Sequence, residues 1–424
     1  MALDVVTRVR TDEAYANLAL PAALRQAGLT GRDAGLVTEL VSGTLRMRAA
    51  YDAVIDQLVP KPPKPRMRDL LRLGAHQILA MRVPDHAAVS ATVALAKQPE
   101  RGFANAVLRR VAERTFDEWM TGRDLATRHS HPAWVVDALS DAVGADQVEA
   151  LLAADNAPPR VVLVARPGLS TRAELPGEPT PYSPYGVVLG GGAPYEVAAV
   201  AEGRAGVQDE GSQLVALAAA SAPVDGRDER WLDLCAGPGG KSALLAALAG
   251  ERGAILVANE RQFHRAGLVR RNLSLGAGLV GGAAGIVTGD GVRPPFAPDT
   301  FDRVLVDAPC TGLGALRRRP EARWRRRPED VPALVALQRQ LLSSALDLVR
   351  PGGAVTYVTC SPVLDETRGV VGAALAERDD VELGDAAAAL PGVPDAAGPL
   401  DGTVQLWPHR HGTDAMFVAI LRRR

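Results

Sequence analysis

The chain has 424 residues, of which 47% are hydrophobic and 23% are charged, and its formal net charge is −1. This length suggests two or three domains with packed cores, and the composition excludes a disordered chain and a protein that is basic throughout. Because no apolar run reaches the roughly 18 residues of a membrane span and the first residues lack the core of a signal peptide, we expect a cytoplasmic protein without membrane binding. We also expect a monomer.

The N-terminal part of the sequence shows apolar residues at helical spacing from Ala14 to about Glu113. Breaks at QAGLTGRD, at the proline-rich VPKPPKPRM and at RVPDH separate several antiparallel helices. No alternating strand pattern interrupts the helical pattern. We therefore predict an all-helical domain over residues 1–125.

The middle of the chain mixes two patterns. The stretch PAWVVDALSDAVGADQVEALLAADN is typical of a helix, and RVVLVARP is typical of a strand. A segment rich in glycine and proline follows, through Tyr195. We predict a small connecting α+β domain over residues 126–205.

The C-terminal part alternates buried strands with helices such as KSALLAALAG. Alternation of this kind predicts a parallel sheet that is covered on both faces and binds ligands at the carboxyl ends of its strands. We predict a Rossmann-like α/β domain over residues 206–424. Its predicted strands are WLDLCA, AILVANE, GIVTGD, FDRVLVDAPC and AVTYVTCS.

The first of these strands leads into LDLCAGPGGKS, whose glycines permit a tight turn before a helix with free N–H groups. Such a loop fits a nucleotide-like ligand or serves only the turn. It is not a Walker A loop, which would need glycine in place of Cys235. Glu260 closes the second strand, 20 residues after Gly240, where an acid binds ribose in dinucleotide-binding folds. A solvated surface glutamate is the alternative.

Acidic residues also close the third and fourth strands, at Asp290 and Asp307. Because the carboxyl ends of parallel strands face one crevice, we expect these acids to share a site with Glu260. Nothing in the sequence resembles a second phosphate site, which favours a nucleoside-type cofactor over a dinucleotide. S-adenosylmethionine is the expected cofactor.

The three cysteines, Cys235, Cys310 and Cys360, lack paired metal-ligand spacing, so we expect free thiols and no bound metal. A lone cysteine between apolar residues is usually a small core residue. Two of these cysteines, however, follow adjacent strands beside the expected cofactor, in DAPCTG and VTCSP. Cytosine C5 is too weak a nucleophile to attack a methyl sulfonium, and a thiolate that adds to C6 makes it nucleophilic. A second group then helps to release the product.

An arginine-rich run, RRRPEARWRRR from Arg317 to Arg327, follows the Cys310 loop and contains Trp324. Its arginines can contact phosphates while the tryptophan stacks on a base. A solvated basic loop is the alternative. Its position beside the predicted site favours contact with RNA.

The block LDLCAGPGGKS, followed in order by DAPCTG and TCSP, resembles the motifs of the Nop/Sun family of RNA cytosine-C5 methyltransferases. The flanking VQDEGSQLVA and HGTDAMFVAIL are similar to further motifs of that family, so the resemblance covers about Gly206 to the C-terminus. The N-terminal LRLGAHQILAMRVPDHAAVSATVALAK and GFANAVLRRVA resemble the antitermination factor NusB. The combination is similar to bacterial family members that methylate small-subunit ribosomal RNA, and it implies RNA binding by the helical and connecting regions.

The resemblance also implies roles for individual residues. Glu260 would bind the ribose of the cofactor, Asp290 would lie near the adenine, and Asp307 would lie near the reacting centre and hydrogen-bond the cytosine. Cys360 would be the nucleophile, and Cys310 would assist the elimination of the enzyme from the methylated base. The loop around the cofactor would consist of Cys235, Ala236, Gly237, Pro238, Gly239, Gly240 and Lys241.

Three positions of the methyltransferase part depart from the family's usual residues. Gly237 stands where alanine is usual, Glu260 where aspartate is common and Ala415 where glycine is usual. The NusB-like part has Ser90-Ala91 in place of the usual Asn-Glu pair.

These patterns together predict an S-adenosylmethionine-dependent enzyme that methylates C5 of a cytosine in small-subunit (16S) ribosomal RNA through a covalent cysteine–C6 adduct. One alternative is a non-catalytic RNA-binding, antitermination or ribosome-assembly factor on a methyltransferase scaffold; the cysteine pair argues against it. Another is a methyltransferase for an exocyclic amine or a protein side chain. An amine-directed site typically has an Asn/Asp-Pro-Pro-aromatic motif, and this chain has Asp307-Ala308-Pro309-Cys310.

Overall fold

The computed structural model describes residues 1–275 and 278–424. These residues form two units, Met1–Pro158 with Leu316–Arg326, and Pro159–Ala315 with Arg327–Arg424. Helices build the first unit, and strands and helices together build the second. The change of unit after Pro158 falls inside the predicted connecting region, and the division of the chain into three domains stays a prediction.

The helices of the first unit follow the predicted apolar pattern. The three predicted breaks are confirmed, since α2 ends at Gln26, α4 at Leu58 and α5 at Leu79. Helix α5 begins at Pro65, where the missing N–H of proline costs no helix bond. The structure adds α1, which precedes the predicted start at Ala14. The bounds are α1 (Ala2–Thr11), α2 (Ala16–Gln26), α3 (Gly31–Arg46), α4 (Arg48–Leu58), α5 (Pro65–Leu79), α6 (Asp85–Ala94), α7 (Arg101–Val111), α8 (Phe116–Met120), α9 (Leu125–Arg128), α10 (Ala133–Val143) and α11 (Val148–Asn156).

Helix α5 contacts α1, α3, α4, α6 and α7 and lies at the core of the first unit. Its Leu70 and Leu71 are fully buried. The same helix buries the carboxylate of Asp69, which pairs with Arg10 at 2.7 Å and with Arg72 at 2.9 Å. Pairing compensates for the hydration that a buried carboxylate loses. The helical core therefore combines apolar packing with paired charges.

A small antiparallel sheet opens the second unit. Its strands are β1 (Val162–Ala165), β2 (Gly177–Pro179), β3 (Gly186–Leu189) and β4 (Ala205–Val207), in the order β2-β3-β1-β4, and α12 (Ala198–Ala201) precedes β4. Strand β1 confirms the strand predicted at RVVLVARP.

The remaining elements of the chain confirm the predicted alternation of strands and helices. The strands are β5 (Arg230–Asp233), β6 (Ile255–Asn259), β7 (Ser274–Leu275), β8 (Gly278–Leu279), β9 (Ala283–Val287), β10 (Phe301–Asp307), β11 (Val349–Thr359), β12 (Val381–Leu383), β13 (Val404–Gln405) and β14 (Phe417–Arg423). The helices are α13 (Glu210–Ser221), α14 (Gly240–Glu251), α15 (Phe263–Leu273), α16 (Ala322–Arg325), α17 (Asp330–Leu348), α18 (Arg368–Glu377) and α19 (Pro408–His411).

The large sheet has the order β12-β14-β11-β10-β5-β6-β9. The five consecutive strands from β11 to β9 pair in parallel, as predicted. Strand β14, from the sequence MFVAIL, was not among the predicted strands, and it runs antiparallel between β11 and β12. A buried apolar run has the same pattern in either direction, and the sequence therefore does not reveal the reversal.

Alternate residues of the central strands face two separate cores. On β10, Leu305 packs with α13 and α14, while Val304 and Val306 pack with α17. This alternation follows from the period of two along a strand, and it covers both faces of the sheet with helices. Over residues 1–275 and 278–424, no helix is both long and apolar enough to cross a membrane.

Candidate active site

Five strands end at one edge of the large sheet, and the residues that the sequence singled out follow these ends. The strands are β5, β6, β9, β10 and β11, and their parallel pairing brings their carboxyl ends together. Ligands of open α/β sheets bind in the crevice outside such ends. This edge is therefore the candidate active site.

The glycine-rich loop after β5 leads directly into helix α14. Gly239 has a φ of +107°, and a Cβ atom on it would lie 2.8 Å from the Cα atom of Val269. Only glycine adopts this backbone conformation readily, and because it has no Cβ atom it can also lie this close to the backbone of Val269. A Cβ atom on Gly240 would meet nothing within 4 Å, so space is open beside the first turn of α14. The N–H groups of a first turn favour polar or anionic groups of a ligand.

Hydrogen bonds to the backbone brace the rest of the loop. The N–H of Ala236 donates to the carbonyl oxygen of Asn259 at 2.9 Å, and the side-chain amide of Asn272 donates to the carbonyl oxygen of Pro238 at 2.8 Å. The Cys235 side chain packs against the hydrophobic core, and burial raises the pKa of its thiol well above the usual value. Cys235 therefore contributes its backbone to the loop and remains a thiol.

Asp233 and Ser242 form a buried pair between β5 and α14 that the sequence pattern does not indicate. The hydroxyl of Ser242 donates to Oδ2 of Asp233 at 2.6 Å. Burial raises the pKa of Asp233 to about 7, against the opposing effect of this hydrogen bond. The pair ties the start of the helix to the strand.

Glu260 braces the loop at Gly237. Its Oε2 accepts the N–H of Gly237 at 3.0 Å, and its Oε1 accepts the N–H of Gln262 at 2.9 Å. Arg265 lies 3.6 Å from Oε2 and donates to the carbonyl oxygen of Gly237 at 2.6 Å. A Cβ atom on Gly237 would lie 2.1 Å from Oε2 of Glu260. The glycine and the longer acid, two departures from the family pattern, therefore form a matched pair.

Asp290 lies three residues beyond the end of β9 and is exposed. Its Oδ1 accepts the N–H of Val292 at 3.0 Å, and its Oδ2 lies 3.7 Å from Nε of Arg261. The carboxylate therefore remains open to solvent, and it follows the strand that pairs with β6, which Glu260 follows.

The two predicted catalytic cysteines meet. Sγ of Cys310, which follows β10, lies 3.4 Å from Sγ of Cys360, which follows β11. The hydrogen bond with Cys360, burial and the negative charge of Cys360 raise the pKa of Cys310 well above the usual value, so Cys310 remains a thiol. The pair therefore consists of a protonated Cys310 and a Cys360 whose sulfur atom is in contact with it.

Lys241 joins the glycine-rich loop to the end of β10. Its ammonium group lies 2.8 Å from Oδ2 of Asp307. Burial lowers the pKa of Lys241, but the Asp307 carboxylate and the negative charge of Cys360 outweigh burial, and the pKa lies above its usual value. A positive charge therefore lies close to both Asp307 and Cys360, whereas the sequence predicted Lys241 only as part of the loop.

Glu366 is a further buried residue that sequence reasoning missed. It accepts hydrogen bonds from Thr311 and Ser361, the residues that follow the two cysteines. An acid six residues after a cysteine has no periodic or motif signal of its own, so the sequence alone gave no reason to select it.

The arginine-rich run belongs largely to the first unit, within the segment Leu316–Arg326. Arg323 is fully buried, and its Nη1 donates to Oδ1 of Asn156 at 2.8 Å and to the carbonyl oxygen of Ser130 at 3.2 Å. Burial lowers the pKa of Arg323 to about 10. The expectation that arginines of this run contact RNA therefore does not extend to Arg323, whose donors are used inside the helical unit.

Trp324 and Arg325 also make contacts within the first unit. The guanidinium of Arg48 lies 5.5 Å from the centre of the Trp324 ring, a cation–π distance. Arg325 donates to the carbonyl oxygen of Ala14 at 2.6 Å and lies 4.6 Å from the centre of the Tyr15 ring. A base that stacks on Trp324, as expected from the sequence, would therefore have to displace the guanidinium group of Arg48 from the ring. The exposed arginines of the run are Arg318, Arg319 and Arg327.

The fold and the loop after β5 are those of an α/β methyltransferase. Residues 220–422 match the family described as 16S rRNA methyltransferase RsmB/F, and residues 1–113 match the NusB family. The chain therefore belongs to the RsmB/F family of methyltransferases and carries a NusB domain.

Individual relatives match this chain over most of its length. A Mycobacterium tuberculosis protein named as a methyltransferase, without a stated substrate, is 50% identical over 100% of this chain and 95% of that protein. Ribosomal RNA small subunit methyltransferase B of Pseudomonas putida is 37% identical over 87% of this chain and 86% of that protein. The crystal structure of PH0851 has a TM-score of 0.77 and 22% identity, over 99% of this chain and 97% of that one, which supports the fold.

Proposed function

We propose that this methyltransferase transfers the methyl group of S-adenosylmethionine to C5 of a cytosine in small-subunit (16S) ribosomal RNA, through a covalent bond between Cys360 and C6. The observation that carries the proposal is the 3.4 Å separation of the Cys310 and Cys360 sulfur atoms at adjacent strand ends. Methylation of an amine needs no thiol nucleophile, so two adjacent thiols favour a pyrimidine carbon. The name of the Pseudomonas putida relative supports ribosomal RNA as the substrate.

The residues at the ends of β5, β6 and β9 fit S-adenosylmethionine. Each oxygen of Glu260 accepts one backbone N–H and keeps a lone pair for a ribose hydroxyl. Asp290 offers an exposed carboxylate for the adenine side, and the open space at Gly240 admits the polar end of the ligand beside a helix N-terminus. The loop Cys235–Lys241 would wrap the cofactor. When bound, S-adenosylmethionine supplies an electrophilic methyl group.

Cys360 is the proposed nucleophile, and a thiolate rather than a thiol adds to C6. The ammonium group of Lys241 interacts with Cys360 and is held by Asp307 at 2.8 Å, so its positive charge favours the thiolate. Addition to C6 moves electron density onto C5, which then takes the methyl group. Asp307, at the end of the neighbouring strand β10, hydrogen-bonds the cytosine.

Cys310 is the proposed base for the second half of the reaction. The proton on C5 must leave, and the bond between Cys360 Sγ and C6 must break. Before that bond forms, the hydrogen bond and charge of Cys360 help to raise the pKa of Cys310. Once Cys360 is a thioether it carries neither, so the pKa of Cys310 falls. Cys310 then releases its own proton to water, and its thiolate takes the C5 proton while Cys360 leaves as a thiolate.

Tritium-labelled S-adenosylmethionine and unmodified small-subunit ribosomal RNA test the proposal, with nucleoside analysis of the product. We expect radioactive 5-methylcytidine from the wild-type enzyme and a loss of about 10⁴-fold or more for Cys360→Ala, as for the removal of other covalent nucleophiles. Binding of labelled cofactor should remain in that variant, which separates a lost nucleophile from a lost fold.

Three results would contradict the proposal in different ways. Label on another atom, or full activity of Cys360→Ala, would contradict the covalent mechanism. Cofactor binding without incorporation into this RNA would contradict the assigned substrate.

A further inference from the structure

Glu366 is a buried acid that the proposed mechanism does not use. It lies between β11 and α18, and it is 0% exposed. Its Oε1 accepts hydrogen bonds from the backbone N–H of Thr311 at 2.8 Å and from Nε2 of Gln338 at 2.9 Å. Its Oε2 accepts hydrogen bonds from the hydroxyl groups of Thr311 and Ser361, both at 2.6 Å. Four donors from three segments therefore converge on one carboxylate.

Two of these segments are the loops that carry the cysteines. Thr311 directly follows Cys310, and Ser361 directly follows Cys360. The hydroxyl oxygens of Thr311 and Ser361 also lie 2.8 Å from each other. Glu366 therefore connects the two loops one residue away from each sulfur atom.

The third segment, helix α17, fixes the same group from another side. Nε2 of the buried Gln338 donates to Glu366 and also to the carbonyl oxygen of Pro309, at 2.9 Å, directly before Cys310. The hydroxyl of Tyr357 on β11 donates to the carbonyl oxygen of Glu366 at 2.8 Å. Both the side chain and the backbone of Glu366 are thus held in place.

We propose that Glu366 is a positioning residue that holds the two cysteine loops together and keeps Cys310 and Cys360 in contact, without touching RNA or cofactor. The inference rests on the proposed function, because thiol contact matters only if both cysteines react. Hydrogen bonds to a charged acceptor are stronger than those to a neutral one. Reacting groups have to be held within about 0.5 Å of their working geometry, which four such bonds can do.

The surroundings of Glu366 distinguish this role from that of a catalytic base. Each of its two oxygens accepts two hydrogen bonds, and the side chain has no exposed surface. A base must reach the proton that it removes, directly or through water. Glu366 therefore acts through the loops and not on the substrate.

Three substitutions test the inference. Glu366→Ala removes all four acceptor sites. Glu366→Gln keeps one oxygen for the two N–H donors, and its amide can face the two hydroxyl groups, which rotate to accept. Asp365→Asn is the matched control, because it removes the neighbouring carboxylate, which is exposed. We expect Glu366→Gln to retain part of the function that Glu366→Ala loses.

The rate of disulfide formation between Cys310 and Cys360 reports thiol contact without RNA or cofactor. The sulfur atoms, 3.4 Å apart, need only a small movement to reach an S–S bond of about 2.05 Å. Oxidised glutathione takes the two electrons of the thiols and is reduced to two glutathione molecules, and mass spectrometry measures the linked peptide. We expect the wild type and Asp365→Asn to react equally fast and Glu366→Ala at least about tenfold more slowly.

Methyl transfer is then measured on the same proteins. We expect kcat to fall about 100-fold in Glu366→Ala, with an unchanged KM for RNA, because misplacement of a reacting group by about 1 Å costs that much. Wild-type disulfide rates in folded Glu366→Ala would overturn the inference, with folding judged by thermal unfolding. If Glu366→Ala does not fold, Glu366→Asp takes its place, because its shorter side chain cannot reach all four donors, and wild-type disulfide rates in folded Glu366→Asp would overturn the inference.

The two proposals fail in distinguishable ways. A wild-type enzyme that transfers no methyl group would contradict the proposed function. The disulfide rates of the variants would still decide whether Glu366 holds the thiols together, since that measurement uses neither RNA nor cofactor.

Discussion

Cys310 and Arg317 lie seven residues apart in the chain, yet they belong to different units of the molecule. Cys310 lies 3.4 Å from Cys360 in the second unit, whereas Arg317 belongs with the helices of the first. Both stretches stood out in the sequence, one through thiols at two strand ends and the other through its density of arginine. Topology supports the first interpretation, because neighbouring parallel strands bring their ends together. Composition alone supported the second.

The difference teaches that a density of charge does not determine exposure. Arg323 is fully buried because carbonyl and amide oxygens of the helical unit accept its hydrogen bonds. With a pKa of about 10, it still carries its charge at neutral pH. A basic run therefore contains structural and exposed members, and we expect RNA contacts only from exposed ones such as Arg319.

The largest effect on activity is expected from substitution in the cysteine pair, and it would test the role that topology assigns to these thiols. Without the Cys310 thiol, addition and methyl transfer can proceed, but release is blocked, so the enzyme and RNA stay joined through Cys360. We expect Cys310→Ala to accumulate a slower band on a denaturing gel and to lose about 10³-fold in turnover, within the usual contribution of acid–base catalysis.

The double variant Cys310→Ala/Cys360→Ala is the control, and it should give no adduct. If folded Cys310→Ala forms no adduct with RNA that the wild type methylates, Cys310 does not act in the release step.

A smaller effect is expected for substitutions in the arginine-rich run. Its absence would contradict the distinction between buried and exposed arginines. Arg323→Ala leaves the buried oxygens of Ser130 and Asn156 without their donor, and we expect a loss of about 3 kcal/mol in the free energy of unfolding. Arg319→Ala removes an exposed side chain, and we expect less than about 0.5 kcal/mol. Denaturant unfolding of the full chain measures both. Equal losses would mean that the run is a uniform surface loop after all.

Much of the fold was predictable because it depends on local pattern. Apolar residues at helical spacing over a long stretch predicted the helices of the first unit. Breaks that contain proline predicted where α4 ends and where α5 begins and ends. The direction of β14 was not predictable, since MFVAIL is apolar throughout and has no signal for direction. Nor was the attachment of Leu316–Arg326 to the first unit, which depends on contacts between residues such as Arg323 and Asn156, 167 positions apart.

The candidate site likewise contains residues that the sequence predicted and residues that it did not. Strand-end residues such as Glu260 and Cys360 were found because a topological rule brings them to one edge. Glu366 was missed because its partner Thr311 is 55 positions away and their contact depends on side-chain packing. Pattern therefore predicts which residues reach the edge of the sheet, and packing determines how they are held there.

The smallest effect is expected on cofactor binding, from substitutions of Gly237 and Glu260, whose side chains are matched in size. The backbone of Gly237 is not left-handed, so the cost of Gly237→Ala comes from the new Cβ atom, 2.1 Å from Oε2 of Glu260. Glu260 must move and lose its hydrogen bond to the N–H of Gly237. We expect a loss of about 1 kcal/mol, seen as roughly fivefold weaker binding of labelled S-adenosylmethionine.

The second substitution of this pair decides whether the clash is the cause. Aspartate is shorter than glutamate by one methylene, so Glu260→Asp in the Gly237→Ala background leaves room for the Cβ atom and should restore most of the binding. Glu260→Asp alone shortens the reach to the loop and should weaken binding. A favourable coupling energy of about 0.5–1 kcal/mol in this double-mutant cycle is the expected outcome. Additive losses would mean that the two residues act independently, and that the departure at each position needs its own explanation.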